Sequence, residues 1–311
     1  MKHDHCASGT VIISIDLELA WGNGGKKHFV PLHQKEREAI NAFLALCEKY
    51  DIPCTWATVG NLFLKDTQEA KNRGIVLSEK AKQIYELIND SNRSLWFGSD
   101  IIEQILACKA SQEIGCHTMF HTLAPEVSTD AFRTELTQAV MLAKEKYDII
   151  MRSFVYGRNY VAHQEILTET GFTSFRGHHV AHSFPGSFGE TKVARYLESL
   201  IPLRVPGVHP LKHSDGIVEL PASYFLAIML AKTVSVPMWL RSMRCKNGVR
   251  GSIRDNGIFH MWFHPHNLAQ NIPVWMHTLE DLFQYLAKER DAQNIEVHTM
   301  GSYTEGYLKH I

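Results

Sequence analysis

The sequence lacks several features that mark particular classes of protein. Its 311 residues hold 32 Lys and Arg against 33 Asp and Glu, so the chain has no charge excess of the kind that binds nucleic acid or anionic membranes. The longest apolar run, residues 224–231, stops at Lys232 and is far shorter than the roughly 20 residues of a membrane-spanning helix. For residues 225–240, we favour a buried helix over a segment that docks on a membrane surface.

Disulfide, nucleotide-binding and serine-hydrolase patterns are also absent. None of the six cysteines forms a C-x-x-C pair, which favours reduced, mostly buried thiols. Residues 22–25 lack the spacing of a phosphate-binding loop, and no G-x-S-x-G motif is present. Residues 1–6 are polar and are not followed by the apolar segment of a secretory signal. Together these absences lead us to expect a cytoplasmic protein.

Histidine, by contrast, is abundant. There are 18 histidines, about one residue in seventeen. The hydrophobic fraction of 45% and the charged fraction of 21% are ordinary for a soluble globular protein. The surplus of imidazole groups therefore stands out, and it favours metal or proton chemistry.

Short β-branched segments alternate with amphipathic ones along most of the chain. The segments that predict strands are residues 11–15, 54–59, 113–116, 153–156, 172–175, 217–220, 258–263 and 295–298. The segments that predict helices are residues 36–50, 78–88, 100–107, 128–146, 165–168 and 281–288. This alternation is typical of parallel β/α units. We expect one barrel-like domain over residues 1–311 with a loop-rich segment at 177–213, and a doubly wound open sheet is the alternative.

Two carboxylates stand where the first predicted strand ends. Asp16 and Glu18 are two residues apart, so they point the same way if the strand continues that far. Carboxylates on one face repel each other unless a cation or a proton lies between them. The alternative is a solvated strand end with ordinary acids. In a β/α fold this is nevertheless the edge where active residues gather.

Two histidines follow another predicted strand. His117 and His121 have the i, i+4 spacing that places both imidazoles on one face of a helical turn. Chance pairs of this kind are expected among so many histidines, and His117 alone could be a hydrogen-bonded core residue. Two imidazoles with one carboxylate, however, are a sufficient ligand set for a catalytic Zn²⁺.

An arginine and a further histidine follow two more strands. Arg158 is a candidate for a buried cation that holds a carboxylate ionised and oriented, although a surface arginine after a tight turn is the alternative. His264 ends the strand that carries His260 and Trp262 on the same face. A histidine there can act as a general acid, because its ordinary pKa is near 6.5.

The remaining histidines have simpler interpretations. We expect His260 and His266 to be packing or surface residues. A cluster without a strand-end context is expected in a substrate loop or on the surface; its members are His178, His179 and His182.

Taken in order, these segments resemble the polysaccharide deacetylases of the NodB-homology, carbohydrate esterase 4-like type. The matching segments are SIDLELAWG (14–22), CTWATVGNLF (54–63), EIGC followed by His117-x-x-x-His121, residues 154–160, VELPAS (218–223) and HMWFHPHN (260–267). Each segment is short, but six in the family's order, spread along nearly the whole chain, are specific.

The resemblance implies a distorted (β/α)7 barrel and a divalent metal, usually zinc, with Co²⁺, Mn²⁺ and Ni²⁺ as alternatives. It implies Asp16 as catalytic base and Glu18, His117 and His121 as metal ligands. Leu17 separates the two acids where the common family form has adjacent aspartates, so the roles of Asp16 and Glu18 could be exchanged. Residues 154–160 also lack the common Arg-Pro-Pro-Tyr form.

Further roles follow from the same resemblance. Arg158 would orient Asp16, and His264 would protonate the leaving amine. A backbone N–H near Tyr160 would stabilise the oxyanion, with Asn159 and Trp262 also facing the substrate. The expected reaction is removal of the N-acetyl group of an amino sugar or cytoplasmic sugar precursor in surface-glycan metabolism. The alternatives are hydrolysis of another amide, cyclic or formyl, and a non-catalytic carbohydrate-binding relative.

Overall fold

The computed structural model describes residues 9–179, 205–227, 229–231 and 234–310, together with positions 193, 196, 197 and 200. The strands are β1 (Gly9–Leu17), β2 (Cys54–Thr58), β3 (Gln112–Cys116), β4 (Ser153–Val155), β5 (Ser174–His179), β6 (Leu211–Lys212), β7 (Val218–Ala222), β8 (Tyr224–Phe225), β9 (Met229–Ala231), β10 (Val234–Ser235), β11 (Ile258–Phe263) and β12 (Ile295–His298).

Helices connect most of these strands. In the described part of the chain the α-helices are Val30–His33, Glu36–Tyr50, Thr67–Asn72, Glu79–Leu87, Ser99–Ala107, Thr129–Tyr147, Glu165–Glu169, Met238–Asp255, Pro265–Leu268, Ile272–Asp291 and Met300–Lys309. Strands and helices alternate through most of this order, as the hydrophobic patterns predict. None of these helices is both long and apolar enough to cross a membrane.

The main sheet curls into a barrel. Its order is β6-β7-β5-β4-β3-β2-β1-β11-β8, and β12 also pairs with β1. Every pair is parallel except β6 with β7. Because β7 pairs with β5 and β8 pairs with β11, the segment Val218–Phe225 joins the two ends of the sheet. With that segment counted once, and with the antiparallel β6 and the off-path β12 left aside, the described strands occupy seven parallel positions. The prediction of a distorted (β/α)7 barrel is confirmed.

The alternation of side chains along β1 separates the two cores. Ile13, Ile15 and Leu17 pack in the large apolar core that includes the surrounding helices. Ile12 belongs to a small second cluster with residues of β2, β4, β7 and β11, and Ser14 and Asp16 follow it on the same side of the strand. The barrel interior near the carboxyl end of β1 is therefore polar, and the candidate site lies there.

The half-buried carboxylate of Glu113 ties the opposite end of the barrel to the last helix. Glu113 in β3 accepts hydrogen bonds from the Thr55 hydroxyl (2.8 Å) and from the backbone N–H of Gly301 (2.9 Å). Its other oxygen accepts a bond from the Ser153 hydroxyl (2.6 Å). The Glu113 carboxylate thus joins β2, β3 and β4 to the first turn of the helix Met300–Lys309, where a negative charge is favourable.

We expect Glu113→Leu to lower the free energy of unfolding by about 3 kcal/mol, because it leaves several buried donors without an acceptor. Urea denaturation of the full chain measures the change. Glu305→Gln is the matched control, since Glu305 lies on the helix Met300–Lys309 to which Glu113 binds, but is exposed and pairs with Lys309. A midpoint for Glu113→Leu equal to that of the control would contradict the assignment.

One sequence prediction for the region after β7 is wrong, and one helix in this region was not predicted. Residues 225–240 do not form a buried helix, since they contain β8 and the antiparallel pair β9 and β10, and the next helix begins at Met238. That helix, Met238–Asp255, was not predicted because polar or glycine residues occupy much of its buried face. They include Arg241, Ser242, Arg244, Gly248 and Gly251, which hide the apolar period.

Candidate metal centre and adjoining clefts

The carboxylate at the end of β1 is held by an arginine from across the barrel. Asp16 is 3% exposed, and its two oxygens accept bonds from the two terminal nitrogens of Arg176 at 2.6 and 2.7 Å. Arg176 belongs to β5, which three strands of the sheet separate from β1. Burial acts to raise the pKa of Asp16, but the Arg176 guanidinium outweighs it and the pKa lies below its ordinary value.

Arg176 is itself fixed on several sides. Its guanidinium donates to the Ser14 hydroxyl (3.1 Å) and to the Asn159 carboxamide oxygen (3.1 Å). It also lies over the Trp262 ring, 4.2 Å from the centroid, in a cation–π contact. The side chain is 1% exposed. A bidentate pair in such a frame holds the Asp16 carboxylate ionised and in one orientation.

The second carboxylate faces two imidazoles. One oxygen of Glu18 lies 3.0 Å from His117 Nε2 and 3.1 Å from His121 Nε2, and all three side chains are buried. His117 Nδ1 lies 2.7 Å from the Val155 carbonyl oxygen. Since a carbonyl oxygen only accepts, Nδ1 carries the proton and a neutral His117 directs the lone pair of Nε2 at Glu18.

This donor set fits a divalent metal. A neutral imidazole and a carboxylate that direct lone pairs at each other repel unless a cation lies between them. The ligand atoms of Glu18, His117 and His121 lie within 4.8 Å of one another, and two imidazoles with one carboxylate are a known catalytic zinc set. A second group, Asp16, Glu18 and His264, meets the same distance limit, but both oxygens of Asp16 already bind Arg176.

The backbone between the two histidines differs from the prediction. Residues 117–121 form a turn rather than a helical turn, and Thr118 and His121 have φ of 60° and 56°. The buried Glu135 holds this turn, because it accepts bonds from the Thr122 hydroxyl (2.6 Å) and the Phe120 N–H (3.3 Å). The two imidazoles meet through this turn, with ring centroids 5.0 Å apart.

His264 faces both carboxylates from the end of β11. Its Nε2 lies 3.5 Å from Glu18 Oε1 and 3.8 Å from Asp16 Oδ2. Its backbone N–H donates to the Asn267 side chain (3.0 Å), and Pro265 begins the helix that follows. Burial acts to lower the pKa of His264, but the carboxylates of Glu18 and Asp16 outweigh it and raise the pKa to about 9.

These groups open into a cavity of about 400 Å³. Its polar walls include Asp16, Glu18, His121, Asn159 and His264, and aromatic rings complete it. The rings are Phe29, Phe225, Trp262 and His266. Phe225 and Trp262 pack with centroids 4.4 Å apart. A cavity with a few convergent polar groups and aromatic walls is typical of a site for a small organic molecule.

Gly22 leaves the space that Glu18 occupies. A Cβ at this position would lie 1.6 Å from Glu18 Oε2. We therefore expect Gly22→Ala to displace Glu18 and lower zinc affinity by about tenfold or more, in the range of other changes around metal ligands. Competition with a chelator measures the affinity. Gly306→Ala is the control, since a Cβ there meets nothing within 4 Å; unchanged affinity in Gly22→Ala would refute the expectation.

Two predicted residues do not take their expected places. Among the described residues Arg158 is exposed and forms no ion pair with Asp16, because Arg176 already binds both oxygens of that carboxylate. Tyr160 is 52% exposed, and its backbone N–H donates to the Gly157 carbonyl oxygen (3.1 Å). That N–H is not available to an oxyanion.

His260 is a buried packing residue that bonds to Ser14 (2.9 Å).

Arg176 was not predicted as a site residue. The fifth predicted strand ends at residue 175, whereas β5 continues to His179. An arginine two residues after Ser174 shares its face of the strand, and this alternation was the available signal. Of the histidine cluster, His178 is exposed, while the side chain of His179 and the whole of His182 lie outside the described residues.

Comparisons with known proteins identify the fold. No family model matches the sequence, and no curated protein sequence matches it. Among solved structures, a protein assigned as a polysaccharide deacetylase from Mycobacterium smegmatis has a TM-score of 0.59 at 12% identity, covering 96% of each chain. The Puue allantoinase has a TM-score of 0.60 at 9% identity, covering 95% of this chain and 89% of its own.

A third structure is similar over slightly less of the chain. It is assigned as a polysaccharide deacetylase from Pseudomonas aeruginosa PAO1 and has a TM-score of 0.53 at 11% identity, covering 89% of this chain and 84% of its own. At these identities the likeness establishes the fold, while the chemistry must be argued from the residues of this chain.

Proposed function

From a chain with the fold of the polysaccharide deacetylases, we propose a metal-dependent hydrolase that removes the N-acetyl group of an amino sugar or sugar precursor. The observation that carries the proposal is the convergence of Glu18, His117 and His121 beside an Asp16 that is separately held by Arg176. A ligand set and an independent base next to each other are what metal-assisted amide hydrolysis requires.

The geometry supports different roles for the two acids. Glu18 would be the carboxylate ligand, since one of its oxygens faces both imidazoles. Asp16 would be the base, since Arg176 keeps it ionised and directs it towards the same cavity. A divalent metal at Glu18, His117 and His121, with zinc the best fit to these donors, would polarise the acyl carbonyl and make a water nucleophilic at neutral pH.

Side chains of the protein, Asp16 and His264, then transfer the protons. Asp16 takes a proton from the attacking water, and its bond to Arg176 keeps the carboxylate in place as it does so. His264 lies beside both acids, where its Nε2 can donate a proton to the leaving nitrogen. Trp262 and Phe225 offer flat apolar walls against which a sugar ring can pack.

Acetate release identifies the reaction. Zinc-loaded protein and N-acetylated amino sugars should give acetate and the free amine, and His264→Gln should lower kcat by a factor of about 10² to 10⁴ with zinc content unchanged. Release of formate, or opening of a cyclic amide such as allantoin, would favour the second candidate, to which the likeness to Puue allantoinase adds weight. Sugar binding without hydrolysis would favour a non-catalytic relative.

The location and pathway belong to the same proposal. The substrate that the proposal names is a cytoplasmic sugar precursor rather than a finished polymer. Fractionation of the native cell with an antibody to the chain tests this, and recovery outside the cytoplasm would contradict it.

A further inference from the structure

A second cleft adjoins the cavity that holds the candidate metal site. It has a volume of about 730 Å³, compared with about 400 Å³ for the cavity itself. The two share the lining residues Gly22, Asn23, His121 and Arg158. A molecule whose reacting group lies at Glu18 and His121 can therefore extend past Arg158 into the second cleft.

Arg158 stands at this junction and is exposed. Within the described part of the chain, its guanidinium forms no hydrogen bond, ion pair or ring contact. The role that the resemblance implied for it, orientation of Asp16, is filled by Arg176. An exposed arginine that lines two joined cavities and has no internal partner is available to a ligand.

The backbone holds Arg158 in an unusual conformation. Arg158 and Asn159 both have positive φ, 55° and 56°, which non-glycine residues seldom adopt and which clusters at functional sites. The carboxamide of Asn159 accepts bonds from Arg176 inside the barrel. The turn is thus anchored through Asn159, while the neighbouring Arg158 lines both cavities.

The charges around the second cleft leave a cation available. Its other basic residues are Lys26 and Lys80, and its acids are Glu79, Glu126 and Glu135. Glu79 pairs with Lys82 (2.5 Å), and Glu135 is occupied by the turn that carries His121. Glu126 remains as an exposed acid. Burial lowers the pKa of Lys80, and the nearby Arg158 acts in the same direction. The carboxylates of Glu126 and Glu135 oppose this shift.

We propose that Arg158 binds an anionic group of the substrate, a phosphate ester or a carboxylate, in the cleft beside the metal site. This inference rests on the proposed function, since it defines what the acylated sugar carries. The planar guanidinium matches either anion with two parallel hydrogen bonds. The substrate class is then an acylated amino sugar whose anionic group can reach Arg158 when its acyl group lies at Glu18 and His121.

Binding to the metal-free protein tests the proposal apart from catalysis. The probes are N-acetylglucosamine, N-acetylglucosamine 1-phosphate and an N-acetylhexosaminuronic acid, titrated by calorimetry. The wild type should bind at least one of the anionic probes about tenfold or more tightly than the neutral sugar, as a charge-assisted contact allows. Which anionic probe is preferred distinguishes a phosphate from a carboxylate.

Matched variants locate the effect. Arg158→Gln should lose the preference for the anion, whereas Arg152→Gln should keep it. Arg152 is exposed at the other end of β4 and lines neither cavity. No anion preference in the wild type, or equal affinities in Arg158→Gln and the wild type, would overturn the proposal. Acetate release by the zinc-loaded protein is scored separately, so a failure of the proposed reaction would be recognised without ambiguity.

Discussion

Replacing His117 with alanine should abolish tight metal binding. His117 is one of two imidazoles that face Glu18, and its Nδ1 is committed to the Val155 carbonyl. Loss of an outer-shell partner lowers metal affinity by about 10- to 100-fold, so loss of a ligand should exceed that range. Zinc content after dialysis should fall well below one ion per chain, and acetate release should fall with it.

The control for this variant is His277→Ala, which removes an exposed histidine on the helix Ile272–Asp291. It should retain zinc and activity. Circular dichroism and thermal unfolding of metal-free samples check that His117→Ala remains folded. If His117→Ala keeps one zinc ion per chain with wild-type affinity, then His117 is not a ligand and the metal site must be placed elsewhere.

The Asp16–Arg176 pair should separate catalysis from metal binding. Asp16→Asn keeps the shape and size of the side chain but removes the base, so kcat should fall by a factor of about 10² to 10⁴. Zinc affinity should stay close to that of the wild type, because Glu18 rather than Asp16 faces the two imidazoles. A loss of zinc equal to that of Glu18→Gln would show that the roles of the two acids are exchanged.

Arg176→Leu examines the other half of the pair. It leaves the Asp16 carboxylate buried without its cation, and breaking a buried pair on one side costs about 3–5 kcal/mol. We expect that loss in urea denaturation, and the double variant Asp16→Asn, Arg176→Leu should recover part of it because no buried charge remains. Arg152→Leu, at an exposed position, is the control and should unfold at the wild-type midpoint.

The contacts of Arg176 also explain why the expected pairing of Arg158 with Asp16 does not occur. Arg158 follows β4 at the edge where Asp16 lies, so its place in the sequence is compatible with either role. Arg176 lies inside β5, and only the curl of the sheet brings β5 across the barrel from β1. Contacts across a barrel interior depend on the register and closure of all the strands between them.

Much of the fold could be predicted from local patterns. The apolar periods of residues such as Ile13 and Ile15 in β1, or Phe132 and Leu136 in Thr129–Tyr147, reflect burial against a single neighbouring layer. Such patterns survive without knowledge of the partner. The helix Met238–Asp255 does not show one, because Arg241 and Arg244 lie on its buried face and their partners are set by tertiary contacts.

The sequence by itself determined the alternation of strands and helices and the convergence of Asp16, Glu18, His117, His121 and His264. Parallel strands share one direction, so residues that follow different strands meet at the same edge. The tertiary structure alone decided that Arg176 holds Asp16 and that Glu18 faces both imidazoles. It also left Arg158 between two clefts. These pairings depend on which side chains the closed barrel places opposite one another, and no local period encodes them.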